Sequence, residues 1–162
     1  MRAALLADTH MPRGRRRLPD ECVRIVAGAD LVIHAGDFMR QEVHDEIAAI
    51  GPPLVAVYGN VDEPALARRL PERTEVELGE HVIGVIHDAG PARGRLQRMR
   101  RAFPQADAVV FGHSHIPLHE RDPEGFQIFN PGSPTERRRS PGHTMGVATV
   151  AAGKLRFELV EL

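Results

Sequence analysis

Apolar residues fall along this chain in short runs of about strand length, rich in Val, Ile, Leu and Ala: Ala3–Ala7, Leu31–Ala35, Leu54–Tyr58, Val82–Ile86 and Ala108–Phe111. Each run is apolar on both faces, which predicts strands buried in the sheet of an α/β protein. Stripes at helical spacing lie between them. Cys22, Ile25 and Val26 follow Leu18; Val43, Ile47 and Ile50 form a second stripe; Leu96, Met99 and Phe103 form a third, with Arg95, Arg98 and Arg101 around it. Pro64 suits the first turn of a further short helix, and Asp62 just ahead of it either caps that helix or orients a ligand. Beyond residue 116 the pattern changes. Leu118–Arg121, Phe126–Asn130, Met145–Val150 and Leu155–Val160 look like antiparallel strands, separated by turns such as Pro123-Glu124-Gly125 and Ala152-Gly153. Pro131 to His143 is polar, Arg-rich and without period, as expected of a surface loop. With no linker or repeat, residues 1–162 are expected to form one domain, and that length can bury a sizeable core.

Composition narrows the function classes. Hydrophobic residues make up 42% and charged residues 27%, ordinary globular values that exclude disordered and fibrous chains. Twenty-one basic residues against 22 acids disfavour a net-basic nucleic-acid binder, and the 4% aromatic content offers little for base stacking. Cys22 is the one cysteine, so neither an internal disulfide nor a Cys-based zinc site is available. No apolar run nears the ~18 residues of a membrane span, and Ala3–Ala7 is too short for a signal-peptide core. A cytoplasmic location with no membrane partner is the expectation. The histidines are the oddity: nine of them, against one Tyr and no Trp.

In open α/β sheets, ligand groups belong at the carboxyl ends of the strands. Here Ala7 is followed by Asp8-Thr9-His10, Ala35 by Gly36-Asp37, and Tyr58 by Gly59-Asn60-Val61-Asp62. Ile86 is followed by His87-Asp88, and Phe111 by Gly112-His113-Ser114-His115. Any one of these ends reads as an ordinary turn. Five in succession do not. His113 and His115, two apart, would point the same way on an extended segment, with Ser114 turned away. Imidazole, carboxylate and amide donors without thiolate favour Mn, Fe, Zn, Co or Ni. Seven donors exceed one tetrahedral ion and suit a pair of divalent ions sharing a carboxylate.

In this order, Asp-x-His, Gly-Asp, Gly-Asn-x-Asp, a later His and Gly-His-Ser-His resemble the calcineurin-like metallophosphoesterase superfamily. Small size and the motif Asn130-Pro131-Gly132-Ser133-Pro134-Thr135 resemble its short YfcE-like phosphodiesterase branch, whose fold the retromer subunit shares. The resemblance implies a four-layer α/β/β/α sandwich of two packed mixed sheets flanked by helices. It also implies two divalent transition-metal ions, manganese first among them. Asp8, His10 and His115 would hold one, Asn60, His87 and His113 the other, and Asp37 would bridge both. The implied activity is phosphoester hydrolysis of a small substrate, most simply a phosphodiester, by a metal-bridging hydroxide attacking phosphorus in line, with Asp37, Asn60 and His113 serving catalysis through it. A phosphomonoesterase, or a catalytically weak protein-binding scaffold like the retromer subunit, are the alternatives; seven filled donor positions favour an enzyme. Homo-oligomers are compatible with the resemblance.

The chain departs from the family pattern in three places. Val61 stands where many members carry a general-acid His, so esters with good leaving groups should react best. Asp88-Ala89-Gly90 after His87 makes Asp88 a candidate partner or proton donor. Met11-Pro12 replaces the common Gly after Asp-x-His. Arg13, Arg137 and Ser133, in loops beside ligand positions, are candidate substrate contacts; the other arginines read as surface. Cys22 and His34 are expected in or near the core. His44, His81 and His119 are expected at the surface or at strand ends, with His143 an outside candidate for the site.

Overall fold

In the computed structural model, which describes residues 1–162, every one of the apolar runs forms a strand. In chain order the elements are β1 (Arg2–Leu6), α1 (Asp20–Ala27), β2 (Leu31–His34), α2 (Gln41–Ala48), β3 (Leu54–Ala56), α3 (Pro64–Arg69) and β4 (Arg73–Leu78). There follow β5 (His81–Ile86), α4 (Arg95–Ala102), β6 (Ala108–Val110), β7 (Leu118–Arg121), β8 (Gln127–Asn130), β9 (Thr144–Ala151) and β10 (Lys154–Glu161). None of the helices is long and apolar enough to cross a membrane.

Two mixed five-stranded sheets result, ordered β10-β9-β1-β2-β3 and β4-β5-β6-β8-β7. Alternate residues explain why the first strands are apolar throughout. Ala3, Leu5 and Ala7 of the first sheet meet Ile83, Val85, Val110 and Phe129 of the second in a core between the sheets. Ala4, Leu6 and Val32, on the opposite face, lie under Cys22, Val26, Val43, Ile47 and Leu66 from the first three helices. On the far side, Met99 of α4 and Phe103 just after it cover Val109 and Ile128. Helix, sheet, sheet, helix is the expected four-layer sandwich. Each layer removes apolar surface from water at about 25 cal/mol per Å². Burial also pushes the Cys22 thiol up to about 12, so it is inert packing.

Three features differ from expectation. β4 was not anticipated: its sequence RTEVEL alternates exposed and covered residues along a sheet edge, a weaker signal than an apolar run. β8 is antiparallel to β7 but parallel to β6, so the carboxyl-terminal third is not purely antiparallel. And β9 and β10 join the amino-terminal sheet, β9 pairing antiparallel with β1.

β1, β2 and β3 run parallel in one sheet, and β5, β6 and β8 run parallel in the other. The loops leaving their carboxyl ends meet at one edge of the sandwich.

Candidate metal centre

Three of the five ligand-bearing loops are held in backbone conformations that only a tightly built site sustains. Asp8, His10, Asp37, His113 and His115 all have positive φ, between 43° and 70°. Each such non-glycine residue costs on the order of 1–3 kcal/mol, and such residues cluster at functional sites. The consequence corrects one expectation. The segment His113-Ser114-His115 is not extended, and its two rings part: His113 turns towards Asn60 and His115 towards Asp8. Ser114 does turn aside, its hydroxyl accepting from the Asn130 amide and the Ile116 N–H. Two glycines make the close approach possible. A Cβ on Gly59 would collide with the Asp37 carboxylate, and one on Gly112 would sit 2.9 Å from Asp8 Oδ2.

Three of the four expected histidines converge on the carboxylates of Asp8 and Asp37, and Asn60 links His87 to the His113 ring. His10 Nε2 lies 3.2 Å from Asp37 Oδ2 and 3.9 Å from Asp8 Oδ1, and His115 Nε2 lies 3.4 Å from Asp8 Oδ1. His87 Nε2 lies 3.2 Å from the same Asp37 oxygen. Asn60 Oδ1 is 3.0 Å from His87 Nε2 and 2.8 Å from His113 Nδ1. One oxygen of Asp37 thus reaches both halves, while its other oxygen accepts from the Val61 N–H. Donor atoms of Asp8, His10 and His115 lie within 4.8 Å of one another, as do those of Asp8, Asp37 and His87. Asp8 therefore stands between the halves as well, a sharing that sequence reasoning assigned to Asp37 alone.

Three of the four rings are pinned from behind. Nδ1 of His87 donates to the Ala35 carbonyl at 2.7 Å, Nδ1 of His115 to the Glu136 carbonyl at 2.9 Å, and Nδ1 of His10 faces the Glu136 carboxylate at 3.1 Å. A carbonyl only accepts, so His87 and His115 carry their proton on Nδ1, leaving Nε2 turned inwards. That is how metal-ligating histidines are held. Asp8 Oδ2 and His115 Nε2 are buried with no hydrogen-bond partner. Buried polar atoms left unpaired cost 1–3 kcal/mol each unless something binds them. The donor set and its orphaned atoms fit divalent cations.

Protonation follows the same geometry. Burial pushes the Asp8 carboxyl up to about 7. Burial would also raise Asp37, but hydrogen bonds from His10 and His87 and the charge of His87 hold it well below the usual carboxylate range. Burial moves His115 down to about 4 and holds His34 well below the ordinary histidine value. For His87, burial is outweighed by Asp37 and the charge of Asp8, and its pKa rises.

The other expected site residues fall outside the cluster. Asp88 is exposed, its carboxylate accepting from the Gly90 N–H, and it lines a cavity of about 160 Å³ with Tyr58, Asn60 and His87. Arg95 and Arg98 brace the loop after His87 through the carbonyls of Gly90, Ala89 and Pro91. Arg13 is exposed and contacts none of the donors, and Arg137 is turned into its own loop, donating to the Pro141 carbonyl. Ser133 corrects the expectation of a substrate contact. It is 1% exposed, donates to the Asp8 carbonyl and accepts from the Thr135 and Glu136 amides, so it staples the loop after β8 to the Asp8 loop. His44, expected at the surface, is buried edge-on against Phe38. His34 accepts from the Gly36 N–H and stacks on Phe38, and His143 lies beside Arg15 and Arg17 in a groove outside the cluster.

Two residues matter more than sequence reasoning allowed. Glu136 was missed, for nothing in the Arg-rich loop marked it. Asp62 does not cap α3, where Glu63 holds the cap position with no side-chain bond. Instead its carboxylate accepts from the amides of Met39 (2.6 Å), Gly59 (2.7 Å) and Asp37 (3.1 Å), tying the second and third ligand loops together. Asp62→Ala is expected to lower unfolding free energy by about 2–4 kcal/mol, since three amides lose a charged acceptor. Urea denaturation measures it, and a loss under about 0.5 kcal/mol would contradict this role.

Comparison with known proteins agrees with this geometry. Residues 1–153 match the family model of the calcineurin-like phosphoesterase superfamily domain. A probable metallophosphoesterase of Methanocaldococcus jannaschii is 32% identical over 141 residues, covering 85% of this chain and 70% of that protein. Vacuolar protein sorting 29 of Cryptosporidium parvum shares the fold, with TM-score 0.78, 21% identity, and 99% and 97% of the two chains covered. So does a structure described as a novel archaeal phosphodiesterase, with TM-score 0.73, 20% identity, and 99% and 100% covered. By its family match and its curated relative, this chain belongs to the calcineurin-like phosphoesterase superfamily.

Proposed function

We propose that this chain is a metal-dependent phosphodiesterase acting on small phosphoesters. In this reading Asp8, His10 and His115 hold one divalent ion, Asn60, His87 and His113 hold another, and Asp37 touches both. The observation that supports it most is the inward presentation of Nε2 by His10, His87 and His115 around two carboxylates. Divalent ions bound there would supply Lewis acidity, lowering the pKa of water and offsetting charge on the phosphoryl oxygens. The chain's own part is positioning. Asp62 fixes the Asp37 and Gly59 loops, Ser133 fixes the Asp8 loop, and the hydrogen bonds to Nδ1 keep three rings from turning.

Val61, 40% exposed beside Asn60, has no proton to give a leaving group. The cavity of about 160 Å³ next to His87 has room for one small alcohol group of a diester, and Glu72 and Asp88 on its wall disfavour a second negative charge there. That disfavours a dianionic monoester.

The fold shared with vacuolar protein sorting 29 supports a second reading, a protein-binding scaffold. A scaffold needs neither strained ligand loops nor orphaned buried donors. One experiment separates the readings: hydrolysis of bis(p-nitrophenyl) phosphate and of p-nitrophenyl phosphate with Mn, Zn, Ni, Co or Mg added. Metal-stimulated turnover with the diester ahead is the expected result. Equal or better turnover of the monoester would overturn the diesterase, and no turnover in a chain that takes up no metal would favour the scaffold.

A further inference from the structure

Glu136 reaches the centre from the loop after β8, outside every donor motif of the strand ends. Its carboxylate meets His10 Nδ1 at 3.1 Å on one side and Arg16 on the other, with Nη2 at 3.0 Å and Nη1 at 3.1 Å. Its main-chain carbonyl accepts from His115 Nδ1 at 2.9 Å. One residue thus stands behind two rings of the same half-site. The other half is oriented elsewhere: His87 by the Ala35 carbonyl, and His113 against Asn60. The residue's main chain is anchored as well, because the Glu136 N–H donates to Ser133 Oγ, which bonds the Asp8 carbonyl.

We propose that Glu136 is a positioning residue that holds His10 with its Nδ1–H turned outwards and its Nε2 turned inwards, with Arg16 keeping the carboxylate in place, and so sets the metal affinity of the Asp8–His10–His115 half alone. The proposal rests on the metal centre proposed above. Partners of this kind typically change metal affinity 10- to 100-fold.

Zinc titration of the metal-free chain by calorimetry, with wild type, three single variants and one double variant, tests the asymmetry. Glu136→Ala is expected to weaken one of two zinc sites about 10- to 100-fold and leave the other within about twofold. Glu136→Gln, whose amide oxygen still accepts from Nδ1, should recover most of that loss. Arg16→Ala should weaken the same site less, and should add nothing in the Glu136→Ala background, since it acts through Glu136. Unchanged titration in Glu136→Ala, equal loss at both sites, or a Gln variant no better than Ala would each overturn the proposal. A wild-type chain that binds no zinc would overturn the metal centre instead. Glu136 is then tested by the His10 Nδ1–H resonance of the metal-free chain: its loss in Glu136→Ala supports the contact, and its persistence overturns it.

Discussion

Asp37→Ala is expected to reduce metal-stimulated hydrolysis of bis(p-nitrophenyl) phosphate by at least about a thousandfold while the chain stays folded. The magnitude follows from the several kcal/mol that a correctly held ion contributes to phosphoryl transfer, at about 1.4 kcal/mol for each factor of ten. One oxygen of Asp37 faces both His10 and His87 at 3.2 Å, so its removal disturbs both halves of the centre together. The side chain is 2% exposed but lies in loops, away from the apolar clusters. Its loss therefore opens no apolar core. Metal analysis of the purified variant should show fewer than the two ions expected for wild type. Activity within tenfold of wild type would remove Asp37 from the centre, and a far-UV circular dichroism spectrum unlike wild type would assign the loss to folding instead.

Stability of the metal-free chain should pass through a maximum near pH 6.5 and become strongly metal-dependent above it. Below that pH the unfolded chain binds protons on His34 and His115 that the folded chain refuses, because burial lowers both. Asp8 opposes them from about pH 4, holding in the fold a proton that the unfolded chain has lost. Asp62, which burial also raises, adds to Asp8 in the acidic limb, and the two histidine protons outweigh them as pH climbs towards the ordinary histidine value of 6.5, so stability rises up to there. Above it the unfolded histidines are neutral. The folded chain still holds the Asp8 proton up to about pH 7 and the His87 proton up to its raised value, so stability falls as pH climbs through both. Divalent metal reverses the fall, since it binds the ionised Asp8 and the unprotonated rings. Thermal melts from pH 5 to pH 8, with and without Zn or Mn, read this directly. Each kcal/mol shifts the midpoint by about 2–4 °C in a chain of this size. A metal-free melting temperature that keeps rising from pH 6.5 to pH 8 would contradict the burial of Asp8.

The sandwich was readable because its strands are covered on both faces, which removes polar residues from nearly every position of Ala3–Ala7, Leu31–Ala35 and Ala108–Phe111. β4 escaped notice for the complementary reason. An edge strand keeps Arg73, Glu75 and Glu77 in water, and its alternation resembles a polar turn. The destination of β9 and β10 was unreadable in principle. Hydrophobic pattern tells that a strand is buried, not which of two sheets will pair with it, and the β1–β9 register joins residues about 145 positions apart.

Residue order alone carried the inventory and placement of the chemistry. Five strand ends carry Asp, Asn or His in a fixed order, and parallel topology requires such ends to meet at one edge. Everything that depends on atoms from distant loops meeting came from the packing of the folded chain. The positive φ at His113 and His115 sends two neighbouring rings apart, the Gly36–Met39 and Gly59 loops share the Asp62 carboxylate, and Glu136 closes on His10 across 126 residues. A local pattern records which residue types stand at a strand end. Orientation of a ring is set by the acceptor behind it, and for His10, His87 and His115 that acceptor comes from another part of the chain.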